Sequence, residues 1–554
     1  MIRLDGRNPL SAAAKLRSTV KGRPEGDSRE IVVHQRSNEI FFAVVGPVGA
    51  GGSRVMASLQ RACQVAGYDC HPIKASDLIR QWSEATGVSL PPSSPKTLDM
   101  VEAYQNAGDA MREKDAAEVA RAALERIAEY RAKATFQDYR KGEPVQPDAK
   151  KRAYLIESIR HPAEIYLLRR IYANAFALIG VVCEENERER RILGKYFTDP
   201  ERRRPENKRR VQDFMKRDAD DALNKKGQHV TDAFFEADFF IDNTRSDPED
   251  EQQFLDEPLA RLVSIIIHDR IIRPTIAETA MHHAHSARVR SACLSRQVGA
   301  ALLDQGGTVV ATGTNEVPQA GGGVYGEGPE GGENDHRCAF RPPALRYCSS
   351  NKEQNKIVEE LIATISELSV VEDKAGLSER IRKTRLGQLI EFSRAVHAEM
   401  DALLSAGRDG VSTVGTKLFV TTFPCHYCAR HIISAGVYEV QYIEPYPKSL
   451  AVHLHSDAIE QEELNWIPPA PPSERAFGKK NEAVSAAAVA EGKVLFKPFV
   501  GVAPRLYTRA FEKVWRLKNK ATGDFEMEPP EWGDDWAPFT VGYPELEAKL
   551  ARGQ

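Results

Sequence analysis

One pattern constrains this 554-residue chain more than any other. His397-Ala398-Glu399 is followed, 28 residues on from position 397 to position 425, by Pro424-Cys425-His426-Tyr427-Cys428. One imidazole and two thiols are the borderline-soft ligands that zinc takes in tetrahedral sites, and a set of only three leaves the fourth position open for water, as catalytic sites do. A zinc ion lowers the pKa of such a water toward neutrality. Glu399, two residues past the histidine, can reach that water without being a ligand and can carry its proton. The run TKLFVTT (416–422) reads as a strand and CHYCARHIISAG as a helix, so both thiols fall at a helix start. There the exposed N–H groups and the helix dipole favour thiolate. A structural zinc knuckle is the competing reading. It would need a fourth ligand close by, for which His431 is the nearby candidate, and it would leave Glu399 without a task.

The bulk numbers narrow the rest. Lys and Arg total 76 against 79 Asp and Glu, a net charge of −3. That balance offers no broad basic surface for a nucleic-acid polymer. No apolar run reaches the ~18 residues of a membrane span. The N-terminal 35 residues lack an apolar core segment and read as a flexible leader, not a signal peptide. Eight cysteines in so long a chain, two of them in Cys-x-x-Cys, suit metal binding in a reducing compartment, hence cytoplasm.

Strand-like runs at EIFFAVVGPV (39–48), AYLIESI (153–159), FALIGVVC (176–183) and ADFFIDN (237–243) alternate with helical stretches at 53–66 and 110–134. Such alternation predicts a parallel α/β sheet. A very charged segment (184–228) lies between the last two runs. DPEDEQQFLDEP, near residue 250, reads as a linker. Beyond it come helices over about 255–273 and 275–294, and a strand pair, QVGAALLD (297–304) and TVVATGTN (308–315), around a Gly-Gly turn. A Gly-rich segment (319–336) and a long helical region (351–407) precede the strands 416–422 and 440–446. The tail holds a strand (KVLFKPF) and a helix (RLYTRAFEKVWRLKNK). The expected organisation is a leader over 1–35, an α/β domain over 36–250, a second α/β domain over 255–470, and an extension over 471–554 packed on the second domain.

His-x-Glu followed by Pro-Cys-x-x-Cys is the pattern of the zinc deaminases. The likeness extends beyond it. IRPTIAETAMHHAHSARVRSACLSRQVGAALLD…TGTNEVP, then HAE, then TTFPCHYCARHIISAGV closely resembles the deoxycytidylate deaminase family over roughly residues 270–450. The resemblance implies a cytidine-deaminase-like α/β/α sandwich and puts Arg296 and Asn315 in contact with substrate. Arg296 suits a phosphate through its forked, charged donors, and Asn315 suits a sugar hydroxyl and a pyrimidine carbonyl because it both donates and accepts. The competing readings are a strand-end ion pair and ordinary turn chemistry. Thr422, Phe423 and Tyr446 are candidates for lining the base or phosphate pocket, with core packing as the alternative. His336, Cys338 and Cys348 are candidates for a second, structural zinc site.

Gly46-Pro47-Val48-Gly49-Ala50-Gly51-Gly52-Ser53 follows a strand and opens a helix, the setting of a phosphate-binding P-loop. Gly52 stands where that motif has lysine. Arg54, one position late, is a candidate substitute, and Ser53 a candidate Mg²⁺ ligand. SIRHPAEIYLLRRIY looks like a nucleotide kinase, and the arginine-rich 187–210 falls where such kinases carry a lid, unless it is a solvated charged helix. The working expectation is a P-loop kinase-like parallel-sheet domain that binds a regulatory nucleotide without being an efficient kinase. In this combination the chain resembles bacterial fused P-loop kinase-like/deoxycytidylate deaminases of anti-phage defence. That implies conversion of free dCTP and dCMP to dUTP and dUMP, a homo-oligomer such as a hexamer, and a repressive small RNA as one candidate regulator. Housekeeping dUMP supply and a polynucleotide cytosine deaminase are the alternatives.

Overall fold

The computed structural model describes residues 37–92, 96–148, 150–219, 227–244, 251–326, 335–446, 449–464, 466–471, 491–513, 515–528 and 543–551. The expected leader over 1–35 lies outside them. The chain divides into two compact units: residues 1–273 with 500–554, and residues 274–499.

The first unit is built on β1 (Glu39–Val45), β2 (Asp69–Lys74), β3 (Arg152–Ile159), β4 (Phe176–Val182), β5 (Phe239–Asp242) and β12 (Gly501–Val502), in spatial order β12-β5-β4-β1-β3-β2. β1 to β5 pair in parallel, as expected, and β12 joins β5 antiparallel. β1 and β4 are buried along their whole length, which is why they read as continuous apolar runs. The order reverses at β1, so the loop after this strand stands at the sheet's switch point, where open α/β sheets bind ligands.

Two expected boundaries move. The helix Glu251–Ile267 does not belong with the second domain: Leu255, Leu259, Leu262, Val263 and Ile266 bury its apolar face in the core of the first unit, beside Val55, Leu59 and Ile179. Nor does the tail pack wholly on the second domain. Val502, Leu506 and Ala510 join that same core, so the second unit is an insertion between two parts of the first. The helix Tyr543–Ala551 is tied in by a buried charge cluster. Arg131, in helix Glu118–Thr135, pairs with Glu39 at 2.8 Å and with Glu547 at 2.7 Å, and the Tyr543 hydroxyl donates to Glu39 at 2.8 Å.

The second unit has β6 (Gly299–Leu303), β7 (Val309–Thr314), β8 (Lys417–Thr422), β9 (Glu439–Glu444), β10 (Ile459–Glu460) and β11 (Val494–Pro498), in order β10-β11-β9-β8-β6-β7. β6 runs antiparallel to β7 and β8, and the remaining pairs are parallel. Glycines let helices press on both faces. A Cβ on Gly299 would sit 1.9 Å from Ala284 O in helix Ile276–Arg288, and one on Gly313 2.1 Å from Ala398 O in helix Ala398–Arg408. Gly313 pairs with Ala300, the neighbour of Gly299, and successive strand residues face opposite sides. The two helices therefore cover opposite faces, the layering expected for this unit. The helical region expected over 351–407 is broken into Ser349–Thr364, Ser366–Ser369, Lys374–Arg382, a 3₁₀ turn Arg385–Gln388 and the helix from Ala398. The tail helix is confined to Pro504–Phe511.

Glu547→Ala should destabilise the first unit by about 3–5 kcal/mol, because it leaves part of the Arg131 charge buried and unpaired. Chemical denaturation checks this, and the zinc content of the folded protein should not change.

Candidate active site

His397 caps the N-terminus of helix Ala398–Arg408, and Cys425 caps that of helix His426–Ser434 after β8. Cys428 lies in the first turn of the latter. Pressing helix Ala398–Arg408 onto Gly313 brings His397 to the two thiols. His397 Nδ1 is 3.3 Å from Cys425 Sγ and 3.4 Å from Cys428 Sγ, and the three donor atoms lie within 4.8 Å of one another. Among the described residues no other group of three or more His, Cys, Asp and Glu side chains converges in this way. Donor type and closeness both fit zinc. Glu399 is buried beside the cluster, 4% exposed.

The metal-free electrostatics follow from burial and contact. The Cys428 thiol and the His397 imidazole beside it pull Cys425 down to about 4. The same bond to Cys425, with burial, pushes Cys428 well above the usual thiol range. Burial opposes charge on His397, but the Cys425 thiolate outweighs it and lifts the imidazole to about 9. Burial, then the charge on Cys425, pushes Glu399 up to about 7.

The loop before His397 is pinned from the opposite strand. Glu316 and Val396 exchange backbone hydrogen bonds of 3.2 and 2.9 Å, and Thr314 N donates to Asp401 at 3.0 Å. Asn315 is buried. Its Oδ1 accepts from Val298 N and its Nδ2 donates to Arg296 O, both at 2.6 Å, so it shapes the segment that carries Arg296 while keeping one donor and one acceptor position in hand. Arg296 is half exposed and lies 3.5 Å from Glu444. Thr422 Oγ1 donates to the same carboxylate at 3.2 Å. Burial, then the charge on Cys425, raises the Tyr446 phenol above its ordinary value, and Arg296 opposes the shift. Phe423 is a core residue instead: its ring meets Tyr442 and Phe496 edge-on at 4.8 and 5.7 Å.

Arg288, Glu444 and Glu316 carry no sequence pattern of their own that marks them as part of the site. Arg288 lies 3.7 Å from Glu444, so two guanidiniums share one carboxylate. Glu316, almost fully buried, accepts from Ala292 N at 2.7 Å and holds the turn after helix Ile276–Arg288. Glu316 directly follows Asn315, and that adjacency was the available signal. The expected second metal group does not assemble. The ring of His336 packs on Tyr325 at 5.5 Å, and Cys348 caps helix Ser349–Thr364 beside Ser295, 3.5 Å away.

Residues 274–444 match the model of the cytidine and deoxycytidylate deaminase zinc-binding region. The chain is 28% identical over 181 residues to a protein named Deoxycytidylate deaminase from Enterobacteria phage T2, covering 31% of this chain and 82% of that one. It is 44% identical over 77 residues to ComE operon protein 2 of Bacillus subtilis (strain 168), covering 13% of this chain and only 41% of that protein. The apo crystal structure of a dCMP deaminase from cyanophage S-TIM5 aligns at 21% identity over 33% of this chain and 94% of that one, with a TM-score of 0.19. Among the described residues no helix is long and apolar enough to cross a membrane.

In the first unit, Gly49 and Gly51 both take φ of 83°, and Gly51 caps helix Gly52–Val65. The Ser53 hydroxyl donates to Glu157 at the end of β3. Together with Gly46 and Gly52 they line a cleft of about 370 Å³. Arg54, the expected stand-in for lysine, is not part of its lining.

Zinc uptake by the apo protein at pH 8 should release about two protons, one from the His397 imidazolium and one from the Cys428 thiol, since only the deprotonated forms ligate. Titration calorimetry in buffers of differing ionisation enthalpy measures this. Release near zero would show that both ligands are already deprotonated.

Proposed function

We propose that the second unit hydrolytically deaminates free deoxycytidine nucleotides, dCMP and dCTP, to dUMP and dUTP with release of ammonia. The observation that carries this is Glu399 buried against the His397–Cys425–Cys428 cluster. Those three residues would hold zinc, which in such a site supplies Lewis acidity toward water. Glu399 takes a proton from the water that adds at cytosine C4 and passes it to ring N3; it then takes the proton of the new C4 hydroxyl and delivers it to the exocyclic amine as the C4–N bond breaks, leaving a C4 carbonyl and ammonia. Its raised affinity for a proton suits a group that both accepts and donates near neutral pH. Arg288 and Arg296 set two positive charges against one Glu444 carboxylate, and the excess charge supports a phosphorylated substrate over a free nucleoside. Asn315 would present its remaining donor and acceptor to the sugar and base.

The fused first unit supports a regulated, defensive use of this chemistry, in which depletion of deoxycytidine nucleotides starves phage replication, over plain dUMP supply, which needs no such addition. In this reading the Gly46–Ser53 loop, with Ser53 and Glu157 positioned for Mg²⁺, binds a regulatory nucleotide.

The zinc-loaded protein, given dCMP, dCTP, CTP and a cytosine-bearing single-stranded oligonucleotide in separate reactions, should form uracil from the first two. Glu399→Gln should lower kcat by about 10²–10⁴-fold with zinc retained. Arg296→Ala should raise KM for dCMP and leave deoxycytidine turnover unchanged. Turnover of the oligonucleotide alone would refute the substrate assignment.

A further inference from the structure

The cleft after β1 has the form of an anion cradle with its usual cation missing. The N–H groups of Gly49, Gly51, Gly52 and Ser53 donate to nothing among the described residues, whereas Val48 N is taken up by Asp218 at 2.8 Å. Four clustered, unsatisfied donors at the start of a 14-residue helix form a ready site for phosphate oxygens. Gly51 takes a φ of 83° that favours glycine, and a Cβ there would displace the Asn243 amide, which donates to Ala50 O at 2.6 Å.

P-loops complete such a cradle with a lysine next to the final Ser or Thr. Here that residue is Gly52. Three basic side chains reach the cleft from other elements: Arg160 after β3, and Arg191 and Lys195 from helix Glu185–Tyr196. They are not equivalent. Arg160 is engaged by Asp218 at 2.7 Å and by Gly46 O at 3.2 Å. Arg191 is engaged by Glu187 at 2.7 Å and by Thr244 O at 3.2 Å. Lys195 has no carboxylate partner among the described residues, and its Nζ stands 5.3 Å from the centre of the Tyr196 ring. Lys195 follows Arg191 by four positions, so both side chains project from one face of the helix. The remaining lining is partly apolar and aromatic, with Tyr196 and Phe214 among it, and about 370 Å³ is within the range of small-molecule sites.

We infer that Lys195, carried by a helix outside the loop, is the cation that grips the outer phosphates of a nucleoside 5′-polyphosphate seated on Gly49–Ser53. The inference rests on reading the Gly46–Ser53 loop as a phosphate cradle and names the residue that makes it work without the loop lysine. Because the gripping charge sits on a separate helix, ligand binding would also fix that helix against the loop.

The test is binding of two probes, ATP and inorganic tripolyphosphate, to the full-length zinc-loaded protein by calorimetry. Lys195→Gln should weaken both at least tenfold with an unchanged melting temperature, since the side chain is exposed. Adding Gly52→Lys, which the backbone accommodates because the nearest atom to a new Cβ is Val44 Cγ1 at 3.5 Å, should recover most of the loss. Wild-type affinity in Lys195→Gln overturns the inference and leaves the cradle standing. If the wild-type protein binds neither probe, the cradle reading fails as well.

Discussion

The close approach of helix Ala398–Arg408 to β7 is the contact on which the candidate site depends. Only a residue without a side chain at Gly313 lets Ala398 come so near the sheet, and that proximity sets His397 against the two cysteines at the start of the helix after β8. Glu399 is buried by the same packing. The arrangement uses two helix N-termini facing one point, so backbone dipoles favour negative charge just where two thiolates and a carboxylate must coexist. In the metal-free site burial, then the charge on Cys425, raises the pKa of Glu399, and the bond to Cys425, with burial, raises that of Cys428, while the Cys425 thiolate keeps His397 positively charged.

The same economy appears around the start of β6 and the end of β7. Asn315 and Glu316 spend part of their hydrogen-bonding capacity on the backbone of the segments that carry Arg296 and His397. A substitution at either position would therefore act on geometry as well as on contact. In the first unit, the Glu39–Arg131–Glu547 cluster plays the corresponding structural part, joining the chain's last described helix to its first described strand.

How much of this could be read from the sequence differs by element. The convergence of His397, Cys425 and Cys428 was legible because the chemistry of a zinc site dictates both residue type and spacing. β1 and β4 were legible because burial on both faces writes a continuous apolar run. β2, DCHPIK, was not: it is an edge strand with exposed positions and a proline, a composition that an edge tolerates and that carries no period. The apolar face of Glu251–Ile267 predicted a buried helix but held no information on which sheet it covers. Phe423 could have faced a ligand or the core, and only the rings of Tyr442 and Phe496 decide it. Arg288 and Glu444 acquire their pairing from segments distant in sequence, and no local pattern marks it; Lys195 lies within the arginine-rich 187–210 stretch, but nothing local singles it out there. The second metal group failed for the same reason in reverse: proximity in sequence among His336, Cys338 and Cys348 did not become proximity in space.

In the proposed site one imidazole and two thiolates hold a zinc ion whose remaining position is open to water. X-ray absorption at the zinc edge of the purified protein tests it most directly. Two sulfur neighbours are expected at about 2.3 Å and two lighter neighbours at about 2.0–2.1 Å, one of them lost in His397→Ala. A shell of four sulfurs, or one with no sulfur, would contradict it.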